Sequence, residues 1–416
     1  MRDPRELINM PISAPPANVL ALSGIRIARI STVPFFVVTQ LKHQIAMLAQ
    51  SGALVTVATS AGAGMEVLRS MGSVRCEIID IRRAISPGHD AVALLRLFLF
   101  FRKNRTQIAH STTPKAGLLT AIAAFLARVP VRLHTFTGQP WVGMRGVKGR
   151  VARWSDVLVG RLNTRCYADS ASQREFLIDQ KIMGADRLAV IGAGSLAGVD
   201  MRRFDRTRFS PADRASLKRS LGIPEVACVL LFVGRITQEK GVRELLQAFG
   251  ALKPGFPEVH LVLVGPADEE SGVGGSLSHE DLSQLEDVHC VGYTDCPESY
   301  MAIADVLCLP SYREGFGTVV IEAAAMGVPT VGSAIYGLTD AVVNGETGLL
   351  VPPKNFGELA TALHRMLESK SLRTGMGEAA RRRAQALFDA EKVNLQVAQE
   401  YGALLRGKNM VDTCLS

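Results

Sequence analysis

The chain has 416 residues, of which 47% are hydrophobic and 21% charged; this composition excludes a disordered protein, and the length exceeds what one hydrophobic core usually supports. Its seven cysteines are scattered and form no C-x-x-C pair, which argues against a zinc site or a disulfide framework. The formal net charge of +8 is unevenly distributed, since residues 1–200 carry 25 Lys and Arg against 12 Asp and Glu, whereas residues 201–416 carry 22 against 27.

The N-terminal half reads as alternating strands and helices after a loose leader, residues 1–24. The leader contains acids as well as bases and lacks the continuous apolar run of a signal peptide. Amphipathic segments separate the short apolar strands, so a parallel, doubly wound sheet is expected. The predicted strands span residues 25–32, 53–60, 76–81, 107–113, 131–138, 165–170 and 187–195.

A basic region lies within this half, because residues 101–150 contain nine Lys and Arg and no acid. It predicts an anionic partner, either nucleic acid or a phospholipid surface. The apolar segments 91–105 and 116–127 are too short to span a bilayer, which needs about 20 residues. Each could be an ordinary buried helix, but the acid-free region favours contact with an anionic membrane surface. No nucleic-acid partner is expected, since no binding motif or basic-aromatic pattern occurs.

The segment GAGSLAG, residues 192–198, loosely matches the dinucleotide-binding fingerprint. A true fingerprint opens a helix, whereas this one is followed by no helix start, so a nicotinamide or flavin site is not predicted.

The C-terminal half repeats the same architecture, with strands predicted at 226–236, 259–266, 288–293, 306–311 and 329–333. The fold class is therefore α/β, with two Rossmann-like doubly wound parallel-sheet domains facing a central cleft, where ligands bind at the carboxyl ends of the strands. The predicted domains are 25–205 and 206–388. A final helix and tail, residues 389–416, are expected to cross back to the N-terminal domain.

The segment FVGRITQEKG, residues 232–241, is a strand followed by a turn, with Arg235 and Lys240 bracketing the turn and Gly241 near a helix start. Two cations beside helix-terminal amides suit a diphosphate. The alternative is a solvated turn with incidental charge.

The segment SYREGFGTVVIEAAAMGVPT, residues 311–330, repeats this design at another strand end. Glu314 lies in the turn and could simply be a favourable charge at the start of a helix that begins at Thr318. Glu322 lies one turn further on among apolar residues, where a carboxylate needs hydrogen-bond donors such as the vicinal hydroxyls of a ribose.

These motifs resemble the family 4 retaining glycosyltransferases of the GT-B fold. The resemblance rests on GRITQEKG, on the E-x7-E spacing of Glu314 and Glu322, and on GVPTVGS and NGETGLLVPP. In the N-terminal half, HSTTPKAG, LHTFTGQPW, YADSASQREFLI and GSLAGVDMRRF resemble a bacterial subgroup that builds undecaprenyl-linked oligosaccharides for surface polysaccharide, including lipopolysaccharide, or for N-glycans.

The resemblance implies a role for each matching residue. Arg235 and Lys240 would hold the donor diphosphate, Glu314 would contact the transferred sugar, and these three form the implied catalytic set. Glu322 would accept hydrogen bonds from the ribose. The remaining implied donor-binding residues are Gly292 and Tyr293 at the base, and Gly315, Phe316, Gly317 and Thr318 at the sugar and phosphate. The implied acceptor-side residues are Lys115, Thr137, Gly138 and Gln139.

The resemblance also implies transfer with no cofactor and no metal, and the chain has no D-x-D motif. Thr137 stands where many relatives have a histidine, and His134, three residues earlier, is expected within a strand, where a histidine is more often a core residue than a catalyst. No general base is therefore identified, and a catalytic role for His134 or Thr137 stays open.

The expected function is transfer of a hexose or N-acetylhexosamine from a UDP-sugar to a polyprenyl-diphosphate-linked saccharide. The expected location is the cytoplasm, at the inner face of the cytoplasmic membrane. Two alternatives are a nucleotide-sugar epimerase of the same fold and an inactive GT-B binding protein.

Overall fold

A computed structural model describes residues 22–267, 282 and 284–414. The predicted leader, residues 1–24, lies outside these residues except for 22–24. The described chain divides into two compact units. The N-terminal unit comprises residues up to Gly198 together with those from Ala390 onward, and the C-terminal unit comprises Val199–Asp389. The sequence-based boundaries fell after residues 205 and 388.

The N-terminal unit contains seven parallel strands in the order β3-β2-β1-β4-β5-β6-β7. Each of the seven strands ends earlier than predicted, because residues at their carboxyl ends, mostly Ser, Thr and Gly, belong to loops. The strands are β1 (Arg26–Ile30), β2 (Leu54–Thr59), β3 (Arg75–Ile78), β4 (Ile108–Ser111), β5 (Val131–Phe136), β6 (Arg165–Ala168) and β7 (Leu188–Val190).

Helices connect these strands. Three of them begin with proline at the first position, where the missing N–H has no intrahelical partner to lose. The helices are α1 (Pro34–Phe36), continued by a π-helical segment (Val37–Leu41), α2 (Lys42–Gln50), α3 (Met65–Ser70), α4 (Pro87–Lys103), α5 (Pro114–Leu126), α6 (Gly146–Leu162) and α7 (Ala171–Asp179). Residues 192–198 form turns without starting a helix, as the sequence predicted.

The C-terminal unit contains six parallel strands in the order β10-β9-β8-β11-β12-β13. The strands are β8 (Cys228–Val233), β9 (Val259–Val264), β10 (Val288–Gly292), β11 (Val306–Leu309), β12 (Thr330–Ser333) and β13 (Gly348–Val351). The last was missed, because its apolar run, residues 349–351, has only three residues and lies between Gly348 and Pro352. The α/β class with two Rossmann-like sheets is confirmed.

The helices of this unit include α8, whose start is fixed by a capping box between Ser210 and Asp213. They are α8 (Pro211–Ser220), α9 (Val242–Leu252), α10 (Pro297–Ile303), α11 (Thr318–Ala325), α12 (Leu338–Ala341), α13 (Phe356–Glu368) and α14 (Lys370–Leu387), with 3₁₀ turns at Arg206–Arg208 and Gln238–Lys240.

The last helix, α15 (Ala390–Cys414), belongs to the N-terminal unit. Tyr401 is fully buried in the same core cluster as Val55 and Leu133. Its hydroxyl accepts a hydrogen bond from Arg29 NH1 at 2.7 Å. In the part of the chain that the structure describes, we find no helix that combines the length and the apolar character needed to cross a membrane.

The C-terminal sheet reverses its strand order between β8 and β11. The loops after these two neighbouring strands therefore emerge side by side at the carboxyl edge of the sheet. Ligands of open α/β sheets bind at such a reversal. Arg235 and Lys240 follow β8, and Glu314 follows β11, so the topology alone brings the two sequence motifs together.

Candidate functional site

The loops after β8 and β11 are joined by hydrogen bonds. The backbone N–H of Tyr312 donates to the carbonyl oxygen of Glu239 at 2.8 Å. The Arg313 guanidinium donates to the Glu239 carboxylate at 2.7 Å. These contacts connect residues that are far apart in sequence, since Arg313 and Glu239 are separated by 74 positions. The two loops consequently form one structural element.

Gly241 is required where the loops meet. It caps the start of α9 with φ of +69°, in the left-handed region that favours glycine. A Cβ atom built at this position would lie 2.1 Å from the carbonyl oxygen of Pro310. Because that obstacle is backbone, any side chain here would force the loops apart.

Lys240 and Glu314 form an ion pair at this junction. The Lys240 ammonium lies 2.5 Å from Glu314 Oε1, and their side chains are only 24% and 12% exposed. Ser311 Oγ donates to the same carboxylate oxygen at 2.8 Å. Arg235, the third residue of the predicted catalytic set, is exposed on the loop after β8. The structure therefore brings a predicted phosphate-binding cation into direct contact with the predicted sugar-binding carboxylate.

Helix α11 begins directly after this ion pair. Gly317 caps it with φ of +81°, and a Cβ there would lie 2.6 Å from Leu338 Cδ2. No side chain caps the helix, and in its first turn the N–H of Val320 donates to the Gly317 carbonyl oxygen at 2.9 Å. Phe316 is buried and packs edge-on against Phe388 with ring centroids 5.2 Å apart. This packing anchors the Gly315–Thr318 turn, whose amides can meet an anion.

Glu322 lies one turn into α11 and is half-buried. Burial raises the pKa of its carboxyl to about 7, while the nearby Arg203 guanidinium lowers that pKa and the Glu298 carboxylate raises it. Arg203 itself forms an ion pair with the buried Glu298 at 2.9 Å. The pKa of Glu322 therefore lies near neutrality because burial raises it and the neighbouring Arg203 cation limits the rise.

Arg203 also supports the loop that follows β10. It donates to the backbone oxygen of Asp295, whose carboxylate accepts a hydrogen bond from the Tyr293 hydroxyl. Gly292 ends β10 with φ of +77°, and Tyr293 is 53% exposed beside it. Arg203 therefore bonds to the loop that carries Tyr293 and also lowers the pKa of Glu322. Sequence reasoning missed Arg203, because its partner Glu298 lies 95 residues away with no shared motif.

The predicted acceptor-side residues lie in the N-terminal unit, at or after the ends of β4 and β5. Thr137 Oγ1 donates to the Thr112 carbonyl oxygen at 3.2 Å, and Gly138 has φ of +122°. Gln139 is buried, and its side-chain oxygen accepts from Gln173 at 3.3 Å. Lys115, at the start of α5, is paired with Asp90 at 2.7 Å. Three of the four thus have structural partners within the unit.

His134 lies within β5, as expected, and is a core residue. Its Nδ1 is 2.9 Å from Ser111 Oγ, and its ring packs edge-on against Phe136 at 4.7 Å. Burial lowers the pKa of His134 to about 3. The imidazole is therefore neutral at physiological pH and enclosed among side chains, which suits a packing role.

The loops after β8 and β11 supply cationic side chains at the carboxyl edge of the sheet. Among the residues that the structure describes, no three or more His, Cys, Asp or Glu side chains are grouped so that they could hold a metal ion. The cations on these two loops are Arg235, Lys240 and Arg313, the last of which is paired with Glu239.

Both units match known family models. The N-terminal unit matches the glycosyl transferase 4-like domain over residues 37–194, and the C-terminal unit matches glycosyl transferases group 1 over residues 213–383. Together with the two Rossmann-like sheets, these matches show that the chain is a glycosyltransferase of the GT-B type.

Individual relatives agree with this class. The chain is 28% identical over 368 residues to the capsular polysaccharide biosynthesis glycosyltransferase CapM of Staphylococcus aureus, covering 88% of this chain and 94% of that one. It is 37% identical over 199 residues to a D-inositol 3-phosphate glycosyltransferase of Kribbella flavida, covering 45% of each chain. Among solved structures, HepE of Anabaena, in complex with UDP and glucose, has a TM-score of 0.76 at 21% identity and covers 91% of this chain and 99% of that one.

Proposed function

We propose that this glycosyltransferase moves a hexose or N-acetylhexosamine from a UDP-sugar to a polyprenyl-diphosphate-linked saccharide, with retention of anomeric configuration. The observation that carries the proposal is the Lys240–Glu314 contact of 2.5 Å at the strand reversal. A cation suited to a diphosphate and an acid suited to sugar hydroxyls are adjacent there, as transfer from a nucleotide sugar requires. HepE was crystallised in complex with UDP and glucose, which favours the same donor class for this chain.

The donor residues divide according to the parts of a UDP-sugar. Arg235 and Lys240 bind the diphosphate, together with backbone amides at the start of α11. Glu314 accepts hydrogen bonds from the sugar hydroxyls, and Glu322 accepts them from the ribose. Gly292 and Tyr293 contact the base. Gly315, Phe316, Gly317 and Thr318 shape the turn between sugar and phosphate.

The chemical step follows from the charges available. The bond between the anomeric carbon and the diphosphate oxygen breaks, and the acceptor hydroxyl oxygen bonds to that carbon from the same face. The acceptor proton passes to the departing diphosphate, so no enzymic base is needed. Negative charge that develops on the leaving group is stabilised by Lys240, Arg235 and the α11 amides. The transfer uses neither a metal ion nor a cofactor.

The N-terminal unit binds the acceptor, through the loops that carry Lys115, Thr137, Gly138 and Gln139. Because a polyprenyl acceptor is membrane-borne, the protein works at the inner face of the cytoplasmic membrane as a peripheral protein. The acid-free run of residues 101–150 supports attraction to anionic lipid. The relative CapM is named for capsular polysaccharide biosynthesis, a process consistent with such an acceptor.

The experiment is to incubate the full-length protein with a panel of nucleotide sugars, with and without membranes that contain lipid-linked saccharides. We expect a labelled UDP-hexose or UDP-N-acetylhexosamine to be consumed only with acceptor, and its label to enter the lipid fraction. Interconversion of UDP-sugars without acceptor would instead identify an epimerase. Failure of every UDP-sugar to bind would overturn the donor assignment.

A further inference from the structure

Helix α6 carries a stripe of exposed apolar side chains. Val147, Val151, Trp154 and Leu158 are 65%, 54%, 59% and 37% exposed. Their spacing of four, three and four residues places them on one side of the helix. The buried side of the helix supplies Val157 and Val159 to the core of the N-terminal unit. A contiguous exposed stripe of this kind marks an interaction surface.

Helix α4 has a similar stripe, formed by Val92, Leu95 and Leu99, and α5 lies between the two helices. Since α4 packs on α5 and α5 on α6, the three form one layer over the sheet. The residues of α5 are mostly buried, but it ends in exposed Phe125 and Leu126. The exposed apolar residues of α4, α5 and α6 together define what is called here the outer helix face.

No acid on α4, α5 or α6 is exposed. Residues 91–155 contain no Asp or Glu. The nearest acids on either side are Asp90, which is paired with Lys115, and Asp156, which is buried. Exposed cations flank the apolar stripes, and they include Arg96, Arg102 and Lys103 on α4 and Arg145, Lys148 and Arg150 on α6.

The cations on α6 are placed where they weaken the helix. Arg145 is its N-cap, and Lys148 and Arg150 lie in its first two turns, with no acid in the first turn. A helix N-terminus carries partial positive charge, which disfavours cations there. An external anion at this end would relieve the repulsion, so the arrangement favours a negatively charged partner.

We propose that the outer helix face docks on an anionic phospholipid surface, with Trp154 and the valines of α6 inserted at the level of the headgroups. Tryptophan suits this level of a bilayer, and flanking cations add attraction to lipid phosphates. A second copy of the chain is a poor occupant, because two acid-free basic faces repel each other. The inference deepens the proposed function by naming the surface that meets the membrane.

The test measures binding of the full-length protein to vesicles rather than sugar transfer, so either proposal can fail alone. We expect binding to phosphatidylglycerol vesicles that weakens with added salt, and much less binding to phosphatidylcholine vesicles. Val151→Glu should weaken binding about tenfold, since it replaces an inserted side chain with an anion. Val226→Glu is the matched control, because Val226 is an exposed valine of the C-terminal unit at 88%.

A second readout reports insertion directly. The chain has two tryptophans, and Trp141 is buried and bonded to Asp156. Anionic vesicles should shift the tryptophan fluorescence emission to shorter wavelength in the wild type and in Val226→Glu. This shift should disappear in Trp154→Phe. Equal vesicle binding by Val151→Glu and Val226→Glu would overturn the proposal. An emission shift of unchanged size in Trp154→Phe would also overturn it. A wild-type dimer that the Val151→Glu substitution dissociates would show instead that a second copy of the chain covers the outer helix face.

Discussion

Lys240 Nζ lies 2.5 Å from Glu314 Oε1, and this ion pair links the loop after β8 to the loop after β11. The two residues perform separate tasks in the proposed reaction, one at the diphosphate and the other at the sugar. A lysine ammonium has three donors, so Lys240 can keep its bond to Glu314 while it contacts a phosphate oxygen. In the proposed reaction the pair would therefore set the distance between the leaving group and the sugar-binding carboxylate before any substrate arrives.

Glu314→Gln should separate catalysis from nucleotide binding. The amide keeps the shape of the side chain but removes the charge that orients the sugar hydroxyls and Lys240. We expect the transfer rate to fall by about 100-fold, a typical loss for one charged contact in a transition state. UDP affinity, measured by calorimetry, should fall little or even rise. An unchanged transfer rate would contradict the role of Glu314.

Gly241→Ala should lower the unfolding free energy by more than the strain of a positive φ alone, because its side chain would also push the two loops apart. Its Cβ would meet the Pro310 carbonyl oxygen at 2.1 Å. Gly327 is a matched control, since it has a similar φ of +75° and no atom within 4 Å of a built Cβ. Gly327→Ala should cost about 1–2 kcal/mol of unfolding free energy, and Gly241→Ala about 1–3 kcal/mol more. Denaturant unfolding measures both, and equal losses would mean that the loops can separate without cost.

Donor binding should depend on pH through Glu322, whose pKa burial raises to about 7. If its carboxylate accepts hydrogen bonds from the ribose, protonation removes an acceptor. Affinity for a UDP-sugar should therefore be highest above pH 7 and fall as the pH drops below 7. The loss of affinity should approach about tenfold for each pH unit. A UDP-sugar is the right probe, because its diphosphate diester keeps a constant charge in this range. Glu322→Gln should bind more weakly at pH 8 and show no such dependence.

Arg203 offers an internal check on this pH profile. Its guanidinium lowers the pKa of Glu322, so Arg203→Gln should move the midpoint of donor binding to higher pH. Arg202→Gln changes the neighbouring exposed arginine and should leave the midpoint in place. If both variants keep the wild-type midpoint, the profile arises from another group. Loss of the Arg203 bond to the Asp295 backbone should also weaken base binding at every pH.

His134→Ala should destabilise the N-terminal unit but leave transfer by the folded protein nearly unchanged. The imidazole is buried, bonded to Ser111 and packed over Gly117, where a Cβ would lie 2.4 Å from the ring. Its removal leaves a cavity and should cost about 2–4 kcal/mol. Thermal unfolding and specific activity of the folded fraction provide the two measurements. Abolished transfer by well-folded His134→Ala protein would indicate an enzymic base.

The sequence predicted the repeated strand-helix pattern well, because buried parallel strands such as β8 and β9 are continuous apolar runs. It also located the turns after β8 and β11, where Gly241 and Gly317 have positive φ. These features are local in sequence. The short strand β13 was not predicted, since its apolar run, residues 349–351, is bounded by Gly348 and Pro352.

Long-range pairings could not be read from the sequence. The Lys240–Glu314 and Arg203–Glu298 contacts depend on which loops the sheet order brings together. From the sequence, membrane contact was favoured for residues 91–105 and 116–127 because the surrounding region lacks acids, although each segment could also be an ordinary buried helix. In the structure, however, most of 116–124 is core, and the amphipathic α6 exposes more apolar surface. The polar residues between its apolar positions concealed this stripe from a search for continuous apolar runs.

The central claim is that the C-terminal unit binds a nucleotide diphosphate sugar through the loop after β8. Calorimetric titration of UDP into Lys240→Ala and Arg235→Ala proteins tests this claim most directly. Loss of a charged contact to phosphate predicts a Kd raised about tenfold to 100-fold in each. Arg219→Ala, which removes an exposed arginine paired with Glu225 in the same unit, should bind as the wild type does. Wild-type UDP affinity in both Lys240→Ala and Arg235→Ala would contradict the assignment of the donor site.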